Sequence, residues 1–279
     1  MATNKYICKT CGYIHQGDAP TTVCPICKVP ASEFELVKEP KKGLFGDKNS
    51  NAYIITYSTI MVVIVAFFLA FTAVNLKPLQ DANILNEKQQ AILSSLGAAD
   101  ENYDEFITAF AVNAKGEVVE GVEGEAVLDK LADLKSTFEG NVYPLFKAKD
   151  GRIVVPIFGS GLWNSIWGYV ALESDMNTIS GVVLDHAGET PGLGAEIATA
   201  KHQAQYAGKT IFEGDDFVSI TLVKGGATQA NISHEVDGIS GGTKTADGVT
   251  NMFNDSLSKY VEYFKAQSSV NNVNPQDNE

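Results

Sequence analysis

Four cysteines fall in two pairs near the start of the chain: Cys8-x2-Cys11 and, twelve residues on, Cys24-x2-Cys27. Two Cys-x-x-Cys turns at this separation can bring four thiolates to one tetrahedral ion. Zinc in a structural ribbon and iron in a redox centre both accept four thiolates, so ligand count leaves the metal open. Gly12 suits the tight turn after the first pair, and His15 reads as a surface loop residue because the thiolates complete the site. A second group lies far along the chain, Asp237-Gly-Ile-Ser-Gly-Gly-Thr-Lys-Thr245. Gly238, Gly241 and Gly242 would let backbone N–H groups approach an anion closely; Ser240, Thr243 and Thr245 add hydroxyls, and Lys244 a cation. A helical pattern begins at Asp247, and a helix N-terminus favours phosphate. The Gly-x-x-x-x-Gly-Lys spacing of a P-loop is absent. A third run, Gly188-Glu-Thr-Pro-Gly-Leu-Gly194, is by itself only a turn.

One stretch separates the cysteines from these loops. Asn49 to Leu76 contains no Asp, Glu, Lys, Arg or His. A spanning helix needs about 20 apolar residues to cross roughly 30 Å of hydrocarbon. Tyr53 to Val74 supplies them, with Tyr53 and Tyr57 placed for one interface. A buried core helix would carry a polar stripe, which this segment lacks. Up to Ser50 the chain holds 7 Lys against 5 acids; beyond it 14 Lys plus Arg face 29 acids. The positive-inside rule then puts the N-terminal head in the cytoplasm and the large C-terminal part outside. That outer part has no cysteine and therefore no disulfides. A pI near 4.7 gives no reason to expect nucleic acid as a partner.

The expected organisation is a metal-binding head over 1–37, a linker over 38–50, a transmembrane helix over 51–76, a stalk helix and outer domain over 77–267, and a disordered tail over 268–279. Lys77-Pro78 is expected to end the membrane run, since Pro cannot continue helical hydrogen bonding. Helical spacing resumes through Leu85, Ala91, Ile92 and Leu96, with Gly97 as its stop. In the outer domain, strand–turn–strand patterns turn at Lys115-Gly116 and Asp150-Gly151, and a further strand pair follows from Trp167 to His186. Glu125–Phe138 and Glu196–Lys209 have helical periodicity, Phe217–Gly225 another strand, and Val249–Ala266 a helix with Phe253, Leu257, Tyr260 and Phe264 on one face. Mixed helices and strands without βαβ alternation give an α+β class.

Tyr6, Cys8, Cys11-Gly12-Tyr13, Ala19-Pro20, Cys24-Pro25-x-Cys27 and Phe34 resemble the rubredoxin-like domain of rubrerythrins over about 35 residues. The resemblance implies iron held by Cys8, Cys11, Cys24 and Cys27; zinc is the alternative. From about Tyr53 to Leu257 the chain resembles the C-subunit family of the sodium-translocating NADH:quinone oxidoreductase. The matching segments include Leu76-Lys77-Pro78-Leu-Gln-Asp-Ala-Asn83, Gly161-Leu162-Trp163, Gly188–Gly194, Val223-Lys224-Gly225 and Val236–Gly241. This resemblance implies a bacterial inner-membrane, single-pass subunit with FMN joined through its phosphate to Thr245, the last residue of an Asp-Gly-x-Ser-Gly-Ala-Thr-x-Thr motif. Gly242 stands here in place of the motif's Ala. It further implies a flavin transferase that takes FMN from FAD, with Asp237 and Ser240 fixing the loop. Glu189, Thr190, Gly192, Leu193 and Gly194 would wall the flavin ring. Leu162 and Trp163 would offer apolar surface to it, and Lys224 would stabilise the reduced, anionic ring. Membrane and cytoplasmic subunits of the complex are the expected partners, and no independent turnover is expected. The rubredoxin-like head is a departure from that family. Two alternatives are the equivalent subunit of an Rnf ferredoxin:NAD oxidoreductase, and a membrane-tethered binding protein with a zinc ribbon.

Overall fold

The structure, a computed structural model, describes residues 4–38 and 50–273. Most of the linker expected at 38–50 lies outside the described residues. The chain divides between Lys77 and Pro78 into two compact units.

In the first unit, three short antiparallel strands, β1 (Lys5–Cys8), β2 (Ile14–Gln16) and β3 (Phe34–Leu36), form a sheet in the order β2-β1-β3. Of the hydrophobic residues described here only Cys8 and Cys24 are fully buried; Ile14, Val23 and Ile26 are exposed, the last to 66%. A sheet this small with no apolar centre needs another source of cohesion.

The long helix α1 (Asn51–Ser95) follows. Its N-terminal part is long and apolar enough to cross a membrane, by length and composition. Ile55, Phe67, Leu69 and Val74 on its different sides are all exposed. Its few polar side chains bond back to the helix: Thr72 Oγ1 donates to the Phe68 carbonyl (2.8 Å) and Asn75 Nδ2 to that of Phe71 (2.7 Å). Contrary to expectation, the helix does not end at Pro78 but runs through it. Proline removes one hydrogen bond, at about 3 kcal/mol, whereas ending there would leave the last turn's carbonyls unpaired. The helix ends where Gly97 adopts φ 66°, with the Ala98 N–H donating to the Leu93 carbonyl (2.9 Å).

In the second unit, α2 (Tyr103–Phe106) leads into β4 (Ile107–Val112) and β5 (Val118–Glu123). Then come α3 (Glu125–Lys130), α4 (Leu134–Glu139), β6 (Tyr143–Ala148), β7 (Ile153–Ser160), β8 (Ser165–Leu172) and β9 (Ile179–His186). β4–β9 form one antiparallel sheet in the order β5-β4-β6-β7-β8-β9. The expected turns are present, with Gly116 at φ 76° and Gly151 at φ 92°. The helix expected over Glu196–Lys209 shrinks to a 3-10 turn and α5 (Ala200–Gln203). Small strands β10 (Phe212–Glu213), β11 (Asp216–Phe217), β12 (Thr221–Val223) and β13 (Glu235–Asp237) precede α6 (Thr243–Leu257) and α7 (Val261–Val273). α6 starts at Thr243, four residues before the expected Asp247, because Gly242 ends the extended loop. The tail expected to be disordered is helical to Val273; residues 274–279 lie outside the described residues.

α6 and α7 press Val249, Phe253, Leu257, Tyr260 and Phe264 against the sheet, with Phe253 stacked on Tyr206 at 5.2 Å. Gly159 and Gly248 let α6 lie close to β7: a Cβ on Gly159 would meet Met252, and one on Gly248 the Ser160 carbonyl. This approach sets the start of α6 beside the β7–β8 turn.

Candidate functional site

In the head, the four Sγ atoms lie within 4.8 Å of one another. Cys8 and Cys27, and Cys11 and Cys24, approach to 3.6 Å, too far for a disulfide. A tetrahedron with metal–sulfur bonds of about 2.3 Å has edges of about 3.8 Å, so the arrangement fits one ion. Burial would raise the Cys24 thiol, but backbone N–H groups of Cys27 and Ile26 bring it down to about 6. Burial and the neighbouring thiols push Cys27 up to about 12. Four thiolates therefore need a cation among them, which agrees with a metal centre.

In the second unit, three loops converge on Thr245. It lies in the first turn of α6 and is 1% exposed. Its Oγ1 donates to Glu189 Oε2 at 2.6 Å. Glu189 is 4% exposed, and its Oε1 accepts the N–H of Trp163 at 2.9 Å, with that of Asn164 at 3.5 Å. One carboxylate thus ties together the β7–β8 turn, the 188–194 loop and α6. Burial raises this carboxyl, but hydrogen bonds from Thr245, Trp163 and Asn164 outweigh it and hold the pKa below the usual carboxylate value. His186 Nδ1 accepts the Glu189 N–H at 3.2 Å. Gly161 and Gly194 make room for the carboxylate, since a Cβ on either would fall on it.

A cleft of about 150 Å³ opens beside this bond, lined by Leu162, Glu189, Thr190, Leu193, Gly194 and the stretch from Gly241 to Thr245. Gly242 caps α6 without a side chain, leaving its first-turn N–H groups open to an anion. A neighbouring cavity of about 450 Å³ is lined by Lys224, Gly225, Gly226, Asp237, Gly238, Ser240, Gly241 and Thr243. The parallel pair β12–β13 joins these two loops. The Gly238 N–H donates to the Val223 carbonyl (2.8 Å), and Asp237 Oδ1 accepts the Ala227 N–H (2.8 Å).

Most of the residues singled out in the sequence therefore meet at two adjoining hollows that share Gly241 and Thr243. Leu162 and Trp163 are not core residues but stand 54% and 70% exposed; Trp163 and Gly192 line neither hollow. Lys244 is exposed and 3.5 Å from Asp247. Glu189 lines the smaller hollow, and its side chain also accepts the Thr245 hydroxyl from below. His186 and Gln205, whose Oε1 accepts the Asp237 N–H (3.1 Å), support the site without any signal in the sequence. A larger cavity of about 600 Å³, lined by Ile84, Leu134, Trp167 and Tyr169 among others, includes none of the Thr245 loop.

An uncapped helix start with glycine-lined loops suits an anion such as a phosphate group, and the fold is an α+β domain carrying a separate four-cysteine metal head. Residues 161–258 match the FMN-binding domain family, and 6–35 the rubredoxin-like domain of rubrerythrin. The chain is 33% identical to the C-subunit of Na(+)-translocating NADH-quinone reductase from Haemophilus ducreyi, covering 81% of this chain and 98% of the relative. It is 32% identical to the same protein of Neisseria meningitidis serogroup B, covering 74% and 90%. The crystal structure of its Parabacteroides distasonis counterpart matches with a TM-score of 0.61 at 41% identity, covering 68% of this chain and 96% of that one. Shewanella oneidensis NqrC matches with a TM-score of 0.57 at 26% identity, covering 67% and 99%. The chain belongs to the C-subunit (NqrC) family of Na(+)-translocating NADH-quinone reductases.

Proposed function

We propose that this protein is the membrane-anchored flavin carrier of a Na(+)-translocating NADH-quinone reductase, with FMN joined through its phosphate to Thr245. The observation that carries this reading is the placement of Thr245: a hydroxyl in the first turn of an uncapped helix, at the edge of a glycine-walled cleft. Bound there, FMN supplies reversible uptake and release of electrons. First-turn N–H groups of α6 face the phosphate, Gly238, Gly241 and Gly242 keep side chains out of its way, and Asp237 fixes the loop behind it. Leu193 and Leu162 give the ring apolar walls beside Thr190, with Trp163 at the rim. Lys224 and Lys244 bring positive charge to the two hollows. α1 is the anchor, with the head cytoplasmic and the flavin domain external, and a flavin transferase loads the site. The head holds iron, as its likeness to rubredoxins supports. With the two on opposite sides of roughly 30 Å of hydrocarbon, any electron path between head and FMN would run through partner subunits.

Expression with a flavin transferase, followed by denaturing gels viewed for fluorescence, tests the attachment. Thr245→Val should abolish the fluorescent band and Thr243→Val should retain it; fluorescence in the first variant would place the flavin elsewhere. Impermeant-thiol labelling of a single cysteine at Lys115, in a head-deleted chain on intact cells, should succeed if the domain is external. Metal analysis of the purified complex decides the ion, and zinc would make the head a structural knuckle.

A further inference from the structure

A threonine hydroxyl is a weak nucleophile at neutral pH until a base takes its proton. One base touches it here. Glu189 Oε2 accepts from Thr245 Oγ1 at 2.6 Å, while Oε1 is held by the Trp163 N–H. The surrounding donors keep the carboxyl ionised at neutral pH, so the shared proton sits on threonine and the vacant lone pair on glutamate. Other acids nearby point elsewhere: Asp247 to Lys244, and Asp237 to the Ala227 N–H. Leu193 and Gly194 lie over the loop, but the carboxylate is held separately by the Trp163 N–H, and the Glu189 backbone N–H by His186 Nδ1. Residues 190–193 are exposed, whereas Glu189 is buried on the hydroxyl.

We propose that Glu189 is the general base that activates Thr245 during flavin attachment, so that the acceptor chain supplies part of the catalytic machinery for its own modification. The proposal rests on the reading of Thr245 as the FMN acceptor. Oγ1 bonds to the phosphorus on the FMN side of an FAD presented by the transferase. The P–O bond to the AMP half breaks, and AMP leaves with the electron pair. The proton passes from Oγ1 to Glu189 Oε2 and then to water, and nothing is oxidised or reduced.

The test uses full-length chain made without transferase, then mixed with purified transferase and FAD. In-gel flavin fluorescence and AMP release give the initial rate between about pH 6 and 9, a range in which hydroxide can begin to replace a missing base. Glu189→Gln keeps one acceptor oxygen, for the Trp163 N–H, and turns its amide NH2 to donate to Thr245 Oγ1, so it keeps the shape of the site but is not a base. It should slow attachment by about 10²-fold or more, with a rate that climbs with pH, while the thermal midpoint stays near wild type. Glu189→Asp should fall between the two and keep the flat pH profile. A wild-type rate and profile in Glu189→Gln, with Thr245→Val unlabelled, would overturn the base and leave the acceptor intact. Fluorescence in Thr245→Val would overturn the acceptor itself. If the Gln variant does not fold, a wild-type rate in Glu189→Asp overturns the proposal.

Discussion

The head and the Thr245 site are built to hold a non-protein group in opposite ways. In the head all four ligands lie between positions 8 and 27, two of them are the only fully buried hydrophobic residues described there, and aliphatic side chains such as Ile26 face outward. The ion takes the place of a core. The Thr245 site gathers loops from Leu162, Glu189, Lys224 and Asp237, and a packed sheet with α6 behind it holds them together. There the core comes first and the chemistry is placed on it.

That contrast can be broken in four ways. The largest effect is expected from Cys24→Ser or from chelation, which should unfold the β1–β3 sheet while the outer domain keeps its melting transition. Structural metal contributes about 10–16 kcal/mol in zinc-finger peptides. Survival of the sheet without metal, seen by amide NMR, would show a core where none is visible. Next comes Phe253→Ala, which removes a fully buried ring from against Tyr206. It should cost the outer domain about 3–5 kcal/mol in urea titration and reduce flavin loading, with the metal content of the head unchanged.

A smaller effect concerns pH. Burial beside Tyr206 holds His202 below its ordinary value of 6.5, outweighing the opposing pull of Asp237. The unfolded chain therefore takes up the proton first, and stability present above about pH 6.5 should fall as the pH drops towards the folded-state pKa. His202→Asn should flatten that slope in urea midpoints. Glu189, held low by its donors, adds a loss of the same sign only below its usual value of 4.5. The smallest effect is expected for Gly242→Ala, which restores the motif's alanine. Its φ of −110° suits an L-residue, and the new Cβ would need Ile239 to give way, with the Gly194 backbone N close by at 3.3 Å. A change within about 1 kcal/mol is expected, with loading unaltered. Loss of loading would mean that the acceptor loop needs the glycine itself.

How much is legible in the sequence follows the same division. The cysteine site is local and can be read from spacing alone. The hairpins at Lys115-Gly116 and Asp150-Gly151 and the buried face of Val249–Phe264 also carry their signal within a few residues. Glu189 does not: its partner Thr245 is 56 positions away, and only the docking of α6 on β7 reveals that the side chain lies beneath the hydroxyl. The same holds for His186, which meets the Glu189 N–H only because β9 ends there. Pro78 and the tail mislead for another reason. At Pro78 a local cost of about 3 kcal/mol yields to a helix with many residues on both sides, and residues 268–273 continue the helix already begun at Val261.

One consequence of the covered hydroxyl concerns timing. At 1% exposure, Thr245 is shut away once Gly194 closes over it. Segments with few buried contacts open locally without global unfolding, and the exposed 190–193 stretch is of that kind. On the proposed reading of Thr245 as acceptor, maturation is a race between the settling of this loop and the arrival of a transferase. A chain that waits would then be served only during brief openings, and two cells making equal amounts of protein would hold unequal amounts of working carrier.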